Sequence, residues 1–282
     1  MDELVSIIIP NYNNAEFLES SVSSALSQDY KNIEVIVVDD GSSDDSVKIL
    51  ESFGTRIRLF QQPNLGAASA RNSGIKNSQG DYLAFLDSDD KWRPSKITLQ
   101  MKKMNSSHYG LVYCALQELF LNGSHGLIHN PKFEGDCYKF FKKYPSRAII
   151  VGGCSTALIR KSILTDSLFF DESFDGVGED LDFFRRVSRI TKVGYVPEVL
   201  VSYRRHGTSL SAVSTEKYFE GNVKAVVNLF SQDSNIGLAE GRVIWARLLF
   251  PYLKSFLREG DYEKSVKIML NFLNRTPANI LD

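Results

Sequence analysis

The residues of this chain best suited to chemistry are carboxylates that close short apolar runs. Residues 80–90 read Gly-Asp-Tyr-Leu-Ala-Phe-Leu-Asp-Ser-Asp-Asp. Tyr82 to Leu86 is apolar throughout and predicts a strand buried on both faces, so the acids lie at its carboxyl end. In an extended segment alternate side chains share a face, so Asp87 and Asp89 are expected to point together with Ser88 opposed. Two hard oxygen ligands at one spot suit Mg²⁺ or Mn²⁺ that also takes phosphate oxygens. Taken alone, the run also reads as a solvated loop end. A second pair, Asp39-Asp40, ends the run Ile33 to Val38, apolar but for Glu34. A third, Glu179-Asp180, opens a helix whose apolar face is Phe183, Val187 and Ile190. A simple acidic cap is the plainer reading there, and the helix amino terminus is expected to stabilise the ionised forms, lowering the pKa of Asp180. Arg204-Arg205-His206 follows the last predicted strand, where the arginines suit a diphosphate and the histidine, taken alone, is more often structural.

The elements that must position these groups alternate. Leu4 to Pro10 predicts a strand, and Asn11 to Asn14 a polar turn able to cap a helix over Ala15 to Gln28, where Leu18, Val22, Ala25 and Leu26 share one face. The strand Ile33 to Val38 is followed by Ser42 and Ser43 as caps of a helix from Asp44 to about Phe53. Ile57 to Gln61 predicts a strand, Pro63 to Gly66 a turn, and Ala67 to Asn77 a helix rich in small residues. Such alternation implies a parallel, doubly wound α/β sheet. Ligands then bind outside the carboxyl ends of the strands, where the acids lie. The glycine fingerprints of dinucleotide-binding and P-loop proteins are absent.

Beyond Trp92-Arg93-Pro94, the stripe Ile97, Met101 and Met104 predicts a packed helix and Leu111 to Leu121 a strand. His125 to Tyr144 reads as irregular and polar, a loop or part of an acceptor-binding wall. Ala148 to Ile159 is expected to be a strand with a close-approach pair, Gly152-Gly153, before a short helix from Lys161. Gly194 is expected to stop the acidic helix, and Tyr195 to Tyr203 to form a strand broken at Pro197. From Thr215 the pattern is wholly helical, so residues 1–210 are expected to form one domain and 211–282 a helical appendage. Within the appendage Trp245 to Leu257 mixes aromatics and leucines with Arg247 and Lys254, and Arg258 follows; packing on the main domain is the plainer reading, with a peripheral membrane surface or an oligomer contact as alternatives.

Composition narrows the function. A net charge of -1 gives no reason to expect nucleic-acid binding, and 43% hydrophobic with 24% charged residues is ordinary for a globular protein. Cys114, Cys137 and Cys154 lack metal-ligand spacing and fit a reducing, cytoplasmic setting. The acidic Met1-Asp2-Glu3 start lacks the pattern of a secretory signal, and no apolar stretch is long enough to span a bilayer.

Together the motifs resemble the family 2 glycosyltransferases, inverting enzymes of the GT-A fold that use nucleotide-sugar donors. The matching pieces are residues 5–13 (Val-Ser-Ile-Ile-Ile-Pro-Asn-Tyr-Asn), 37–44 (Val-Val-Asp-Asp-Gly-Ser-Ser-Asp), 64–72 (Asn-Leu-Gly-Ala-Ala-Ser-Ala-Arg-Asn), 85–90 (Phe-Leu-Asp-Ser-Asp-Asp), 178–180 (Gly-Glu-Asp) and 203–206 (Tyr-Arg-Arg-His). The resemblance implies a Rossmann-like GT-A sheet, mainly parallel, and assigns roles. Pro10, Tyr12, Asn13 and Asp40 would bind the nucleotide, with Tyr12 stacking on the base and Asp40 accepting an imide N–H, which favours a UDP-sugar. Arg71 would stand near the base or phosphates. Asp87 and Ser88 would reach the ribose and the shell of a Mn²⁺ or Mg²⁺ ion held directly by Asp89. Asp180, with Glu179 beside it, would be the catalytic base; Gly152, Gly153 and Ser155 would line the donor-sugar side, and His206 would approach the metal or the β-phosphate. A saccharide or lipid-linked acceptor, in synthesis of a cell-surface polysaccharide or glycolipid, is the expected partner. The rivals are a noncatalytic nucleotide-sugar-binding protein, disfavoured by intact Asp87, Asp89 and Asp180, and a sugar nucleotidyltransferase, disfavoured because Pro10 to Asn14 is no glycine-rich basic loop.

Overall fold

In the computed structural model, residues 3–130, 132–145, 150, 152–165, 168–174, 176–207 and 214–274 are described. The expected boundary at 210/211, Asp175, and Ala148, Ile149 and Val151 of the expected strand lie outside them. The first half follows the predicted rhythm: β1 (Val5–Asn11), α1 (Ala15–Leu26), β2 (Ile33–Asp39), α2 (Ser46–Glu51), β3 (Arg58–Gln61), α3 (Ala67–Asn77) and β4 (Tyr82–Phe85). These strands pair in parallel in the order β3-β2-β1-β4. The register sets Asn11 beside Asp39, and β4 flanks β1 on its other side, so the order reverses there and the carboxyl ends share one rim. β1 and β4 are buried along their full length, which is why their sequences are apolar without alternation.

The second half extends the sheet with mixed directions. It comprises β5 (Lys91–Trp92), α4 (Lys96–Ser106), β6 (Tyr109–Phe120), β7 (His125–His129), α5 (Tyr138–Lys143), β8 (Leu158–Arg160), α6 (Glu179–Ile190) and β9 (Lys192–Arg205). β8 runs antiparallel between β4 and β6, whereas β9 lies parallel to β6 and carries β5 on its far edge. Helices α7 (Thr215–Gln232), α8 (Leu238–Glu259) and α9 (Tyr262–Asn274) complete the chain around a core of their own that includes Leu229, Trp245, Leu248 and Phe256. Among the described residues no helix is long and apolar enough to cross a membrane. The three cysteines are buried free thiols.

Several local expectations are corrected. His125 to Tyr144 is not wholly irregular, because β7 pairs with β6 as a hairpin and α5 follows. Of the strand expected over 148–159 only its end is extended, β8 running from Leu158 to Arg160, because Gly152 and Gly153 take positive φ and lead into a 3-10 turn over Gly153–Thr156. Lys161–Ile163 is likewise a single 3-10 turn. α6 ends at Ile190, and Gly194 lies within β9, where an added Cβ would meet the Tyr109 ring at 2.9 Å. β9 runs through Pro197, which sits at a register shift between Cys114↔Val196 and Ala115↔Val199 where its missing N–H is tolerated. Neither Ser42 nor Ser43 caps α2: the Ser42 hydroxyl donates to Asp39 at 2.6 Å, and Asp44 accepts the N–H groups of Ser46 and, across the loops, of Ala15 in α1. The Asn14 side chain makes no cap bond at α1 and donates instead to Ser88 Oγ at 2.8 Å.

Candidate active site

The loops after β1 and β2 are tied together by short polar side chains. Asn11 Nδ2 donates to Asp39 Oδ1 at 2.8 Å, and Asn13, held at φ 49°, accepts the N–H of Ser43 at 2.7 Å while donating its own N–H to Ser42 Oγ. Asn tolerates that left-handed conformation because its side chain bonds locally. Tyr12 projects from this frame 46% exposed, and Pro10 beneath it is buried. Asp40 is buried, and its oxygens accept from Gln62 Nε2 at 2.7 Å, Leu65 N at 3.0 Å and Gly66 N at 2.8 Å. A carboxylate accepts about four bonds, so Asp40 holds the turn before α3 and keeps one acceptor position.

Beyond β4 the chain does not stay extended. Asp90 N donates to Asp87 O at 3.0 Å, closing a turn, so the expected alternation of faces across Asp87, Ser88 and Asp89 does not apply. The turn fans its side chains toward different elements. Asp87 Oδ1 meets Arg71 at 2.9 Å, Ser88 Oγ accepts from Asn14, and Asp89 Oδ2 meets His206 Nε2 at 2.9 Å. Buried Asp90 accepts the N–H of Arg204 and so fastens the end of β9 to the turn. The Ser155 hydroxyl accepts the N–H of Asp87 at 3.1 Å. Burial and the neighbouring Asp87 charge push the Asp89 pKa up, against the pull of His206.

This donor set fits a hard divalent ion. Among the described residues no three His, Cys, Asp or Glu side chains are grouped to enclose a metal. Mg²⁺ and Mn²⁺ at phosphate sites need no such cage, since one or two carboxylates plus substrate oxygens suffice. Asp89 offers an oxygen, His206 a nitrogen beside it, and the crowded Asp87 and Asp89 charges would be relieved by a cation.

Arg71 joins this turn to the third acid pair. Its guanidinium is buried, with one amino group on Asp87 and the other 3.2 Å from Glu179 Oε1. It thus contacts the two acidic segments themselves. Asp180, next along α6, is half-buried and lines a cavity of about 430 Å³ that Arg71, Asp87, Glu179, Gly152 and Gly153 also border. Its carboxyl accepts the N–H of Leu181 at 2.7 Å, yet its pKa is pushed up to about 6, first by burial and then by the Glu179 charge. The expected lowering by the helix terminus is therefore reversed: desolvation outweighs the dipole and the attraction of Arg71. Gly153 abuts this carboxyl, since a Cβ there would lie 2.7 Å from Asp180 Oδ2.

The far wall of the cavity comes from residues that the motifs do not reveal: Tyr218 and Asn222 of α7 and Tyr252 of α8, with Tyr203 and Arg205 of β9 beside them. Asn222 donates to the Tyr252 hydroxyl at 2.7 Å, joining the two helices. One signal was available, Gly221 inside an otherwise regular helix. A Cβ there would sit 2.4 Å from Val177 O, so its absence lets α7 close on the loop that leads into Glu179 and Asp180.

The Glycosyl transferase family 2 profile matches residues 6–168, more than half of the chain. The chain belongs to this family. This family 2 glycosyltransferase is 32% identical to an uncharacterized glycosyltransferase of Rickettsia prowazekii, over 95% of the chain and 84% of the relative. It is 35% identical, over 60% of the chain and 64% of the relative, to Escherichia coli WfgD, a UDP-Glc:alpha-D-GlcNAc-diphosphoundecaprenol beta-1,3-glucosyltransferase. The chain spans 64% of a Rickettsia typhi relative and 31% to 37% of the Rickettsia bellii, conorii and felis relatives. Its backbone matches Staphylococcus aureus TarS 1–349, solved with UDP-GlcNAc, at a TM-score of 0.65 and 18% identity, over 96% of this chain and 91% of that one. The two therefore share the GT-A fold.

Proposed function

We propose that this glycosyltransferase moves a sugar from a UDP-linked donor to a hydroxyl of a saccharide or lipid-linked acceptor, with inversion and with Mn²⁺ or Mg²⁺ bound. The observation that carries the reading is Asp180, a carboxyl on the cavity wall whose pKa of about 6 makes it a competent base near neutrality. Asp87 and Arg71 border the same cavity, and Asp89 belongs to the turn that Asp87 opens, with His206 against it from the end of β9. Donor and acceptor would meet between them.

The chemistry follows from that arrangement. The acceptor oxygen forms its bond at the anomeric carbon, the bond from that carbon to the diphosphate breaks, and the electron pair leaves with the nucleotide. The acceptor proton passes to Asp180 on the opposite face, which a single in-line displacement requires. Arg71, fixed between Glu179 and Asp87, keeps the two acidic segments at a set separation. Tyr12 is exposed enough to stack on a base, and the remaining acceptor position of Asp40 suits the uracil imide N–H. Asp89, with Asp87 and His206 beside it, would hold Mn²⁺ or Mg²⁺, which when bound would supply positive charge for the departing diphosphate. Tyr203, Tyr218 and Tyr252 give the acceptor side the aromatic lining that sugars stack on. The donor named for WfgD and the UDP-GlcNAc bound to TarS support a UDP-sugar donor, and the acceptor named for WfgD supports a diphosphate-lipid-linked acceptor; a role in cell-surface polysaccharide or glycolipid synthesis is part of the same proposal.

The test is binding and slow hydrolysis of a panel of UDP- and GDP-sugars with and without Mn²⁺, on wild type and Asp89→Ala. Metal-dependent turnover of one UDP-sugar by wild type, lost in the variant, is expected. Equal turnover by the folded variant overturns the metal assignment, and preference for a GDP-sugar overturns the role of Asp40.

A further inference from the structure

We propose that the outer face of α8 is a docking surface for an anionic lipid bilayer. α8 packs inward through Ile244, Trp245, Leu248, Leu249 and Phe256, which satisfies the plainer expectation for this segment. Its opposite side carries large apolar groups that are about half exposed. Val243 is 47% exposed, Phe250 60% and Leu257 46%, and they recur every seventh residue, on one stripe of the helix. Exposed Arg247, Lys254 and Arg258 occupy the same stripe. From Arg242 to Arg258 the sequence contains no Asp or Glu. Glu240, just before this span, pairs with Lys142 at 2.9 Å.

An apolar stripe laced with cations and free of carboxylates is the pattern of a helix that lies in the headgroup region, its apolar groups in the acyl boundary and its cations on lipid phosphates. A protein partner of mixed charge does not call for the exclusion of every acid over more than four turns. The charge pattern therefore selects an anionic membrane. Tyr252 lies nine residues from Val243, about two and a half turns at ~3.6 residues per turn, and so on the opposite side of α8. Tyr252 lines the catalytic cavity. The same helix thus has one side toward the bilayer and the other toward the cavity, about one helix diameter (~10 Å) apart.

The proposal is independent of donor and acceptor identity and is tested without turnover. The full chain is sedimented with phosphatidylcholine vesicles with and without phosphatidylglycerol, at low and high salt. Co-sedimentation with the anionic vesicles only, reversed by salt, is expected. The variant Arg247→Gln/Lys254→Gln/Arg258→Gln should lose roughly a hundredfold in partitioning, at about fivefold per cation, with its thermal melt and UDP binding unchanged. Phe250→Ser should weaken binding to the same vesicles and leave the melt unchanged. Equal binding to neutral vesicles, partitioning unaffected by the triple change, or a dimer by light scattering that the triple change dissociates would each overturn the proposal, the last in favour of a second copy.

Discussion

Replacing Asp180 by Asn should make this enzyme more stable while removing its activity, and the size of the first effect depends on pH. The native carboxyl titrates near 6, against an ordinary 3.8. That difference of about 2 pH units corresponds to roughly 3 kcal/mol at 1.36 kcal/mol per unit, an upper bound given the nearby Glu179. Below pH ~4 the group is protonated in both the folded and unfolded chain, and its ionisation costs the fold nothing. As pH rises from about 4 to 6 the unfolded chain releases its proton first, so wild type loses stability, and above about 6 the loss levels off. A neutral amide keeps the acceptor oxygen that receives the Leu181 N–H at 2.7 Å and has no charge to desolvate. Denaturant unfolding of wild type and Asp180→Asn at pH 4, 5, 6 and 7 should show the two curves nearly coincident at pH 4 and separated by up to about 3 kcal/mol at pH 7. Turnover with saturating donor should fall by about 10² to 10⁴ in the variant. In wild type it should rise about tenfold per pH unit below 6 and then flatten. A stability gap that does not change with pH would refute the argument from burial, and near-normal turnover would move the base elsewhere.

Two further substitutions test the positioning of this carboxyl. Arg71→Met leaves Glu179 and Asp87 without their shared cation in a buried setting, so it should cost about 3 to 5 kcal/mol in urea unfolding. Because Arg71 also draws the Asp180 pKa down, the Arg71→Met pH profile should move to higher pH, a change that simple loss of packing would not produce. Gly153→Ala places a Cβ 2.7 Å from Asp180 Oδ2 at a φ of +51°, where an L residue is strained. Its turnover should fall at least tenfold, about 1.4 kcal/mol in the barrier, while UDP binding by calorimetry is unchanged; normal turnover would show that Asp180 does not depend on that gap.

The parallel half of the fold was legible because β4 is apolar throughout, β1 and β2 are apolar but for Ser6 and Glu34 up to their polar ends, and α1 carries apolar residues at helical spacing. Placing Asp39, Asp40 and Asp87 on one rim needed only the topological rule for such sheets. The mixed half was not legible, since β8 is three residues long and its direction is set by pairing with β4 and β6, which no local pattern encodes. The caps failed for a related reason. Asn14, Ser42 and Asp44 have the right chemistry for local caps, but Asn14 bonds Ser88 and Asp44 bonds Ala15, bringing together loops that are distant in sequence, while Ser42 turns back onto Asp39. Asp180 shows the same limit in electrostatics: its place in the first turn of a helix could be read, but the burial that reverses the shift depends on how distant segments pack around it.

The family match stops at residue 168, before Glu179 and Asp180 and before every residue of α7 and α8 that lines the cavity. Within the match lie Tyr12, Asp40, Arg71, Asp87 and Asp89, the groups argued to hold the donor and its metal. The wall facing Asp180 is built from Tyr203, Tyr218, Asn222 and Tyr252, and Gly221 lets it approach closely. The proposed donor half of the site therefore lies within the segment that the family profile covers. The proposed acceptor half rests on helices outside the profile, brought against Val177 at Gly221. Substitutions at Tyr218, Asn222 and Tyr252 are consequently where a change of acceptor should appear first, with the response to donor intact.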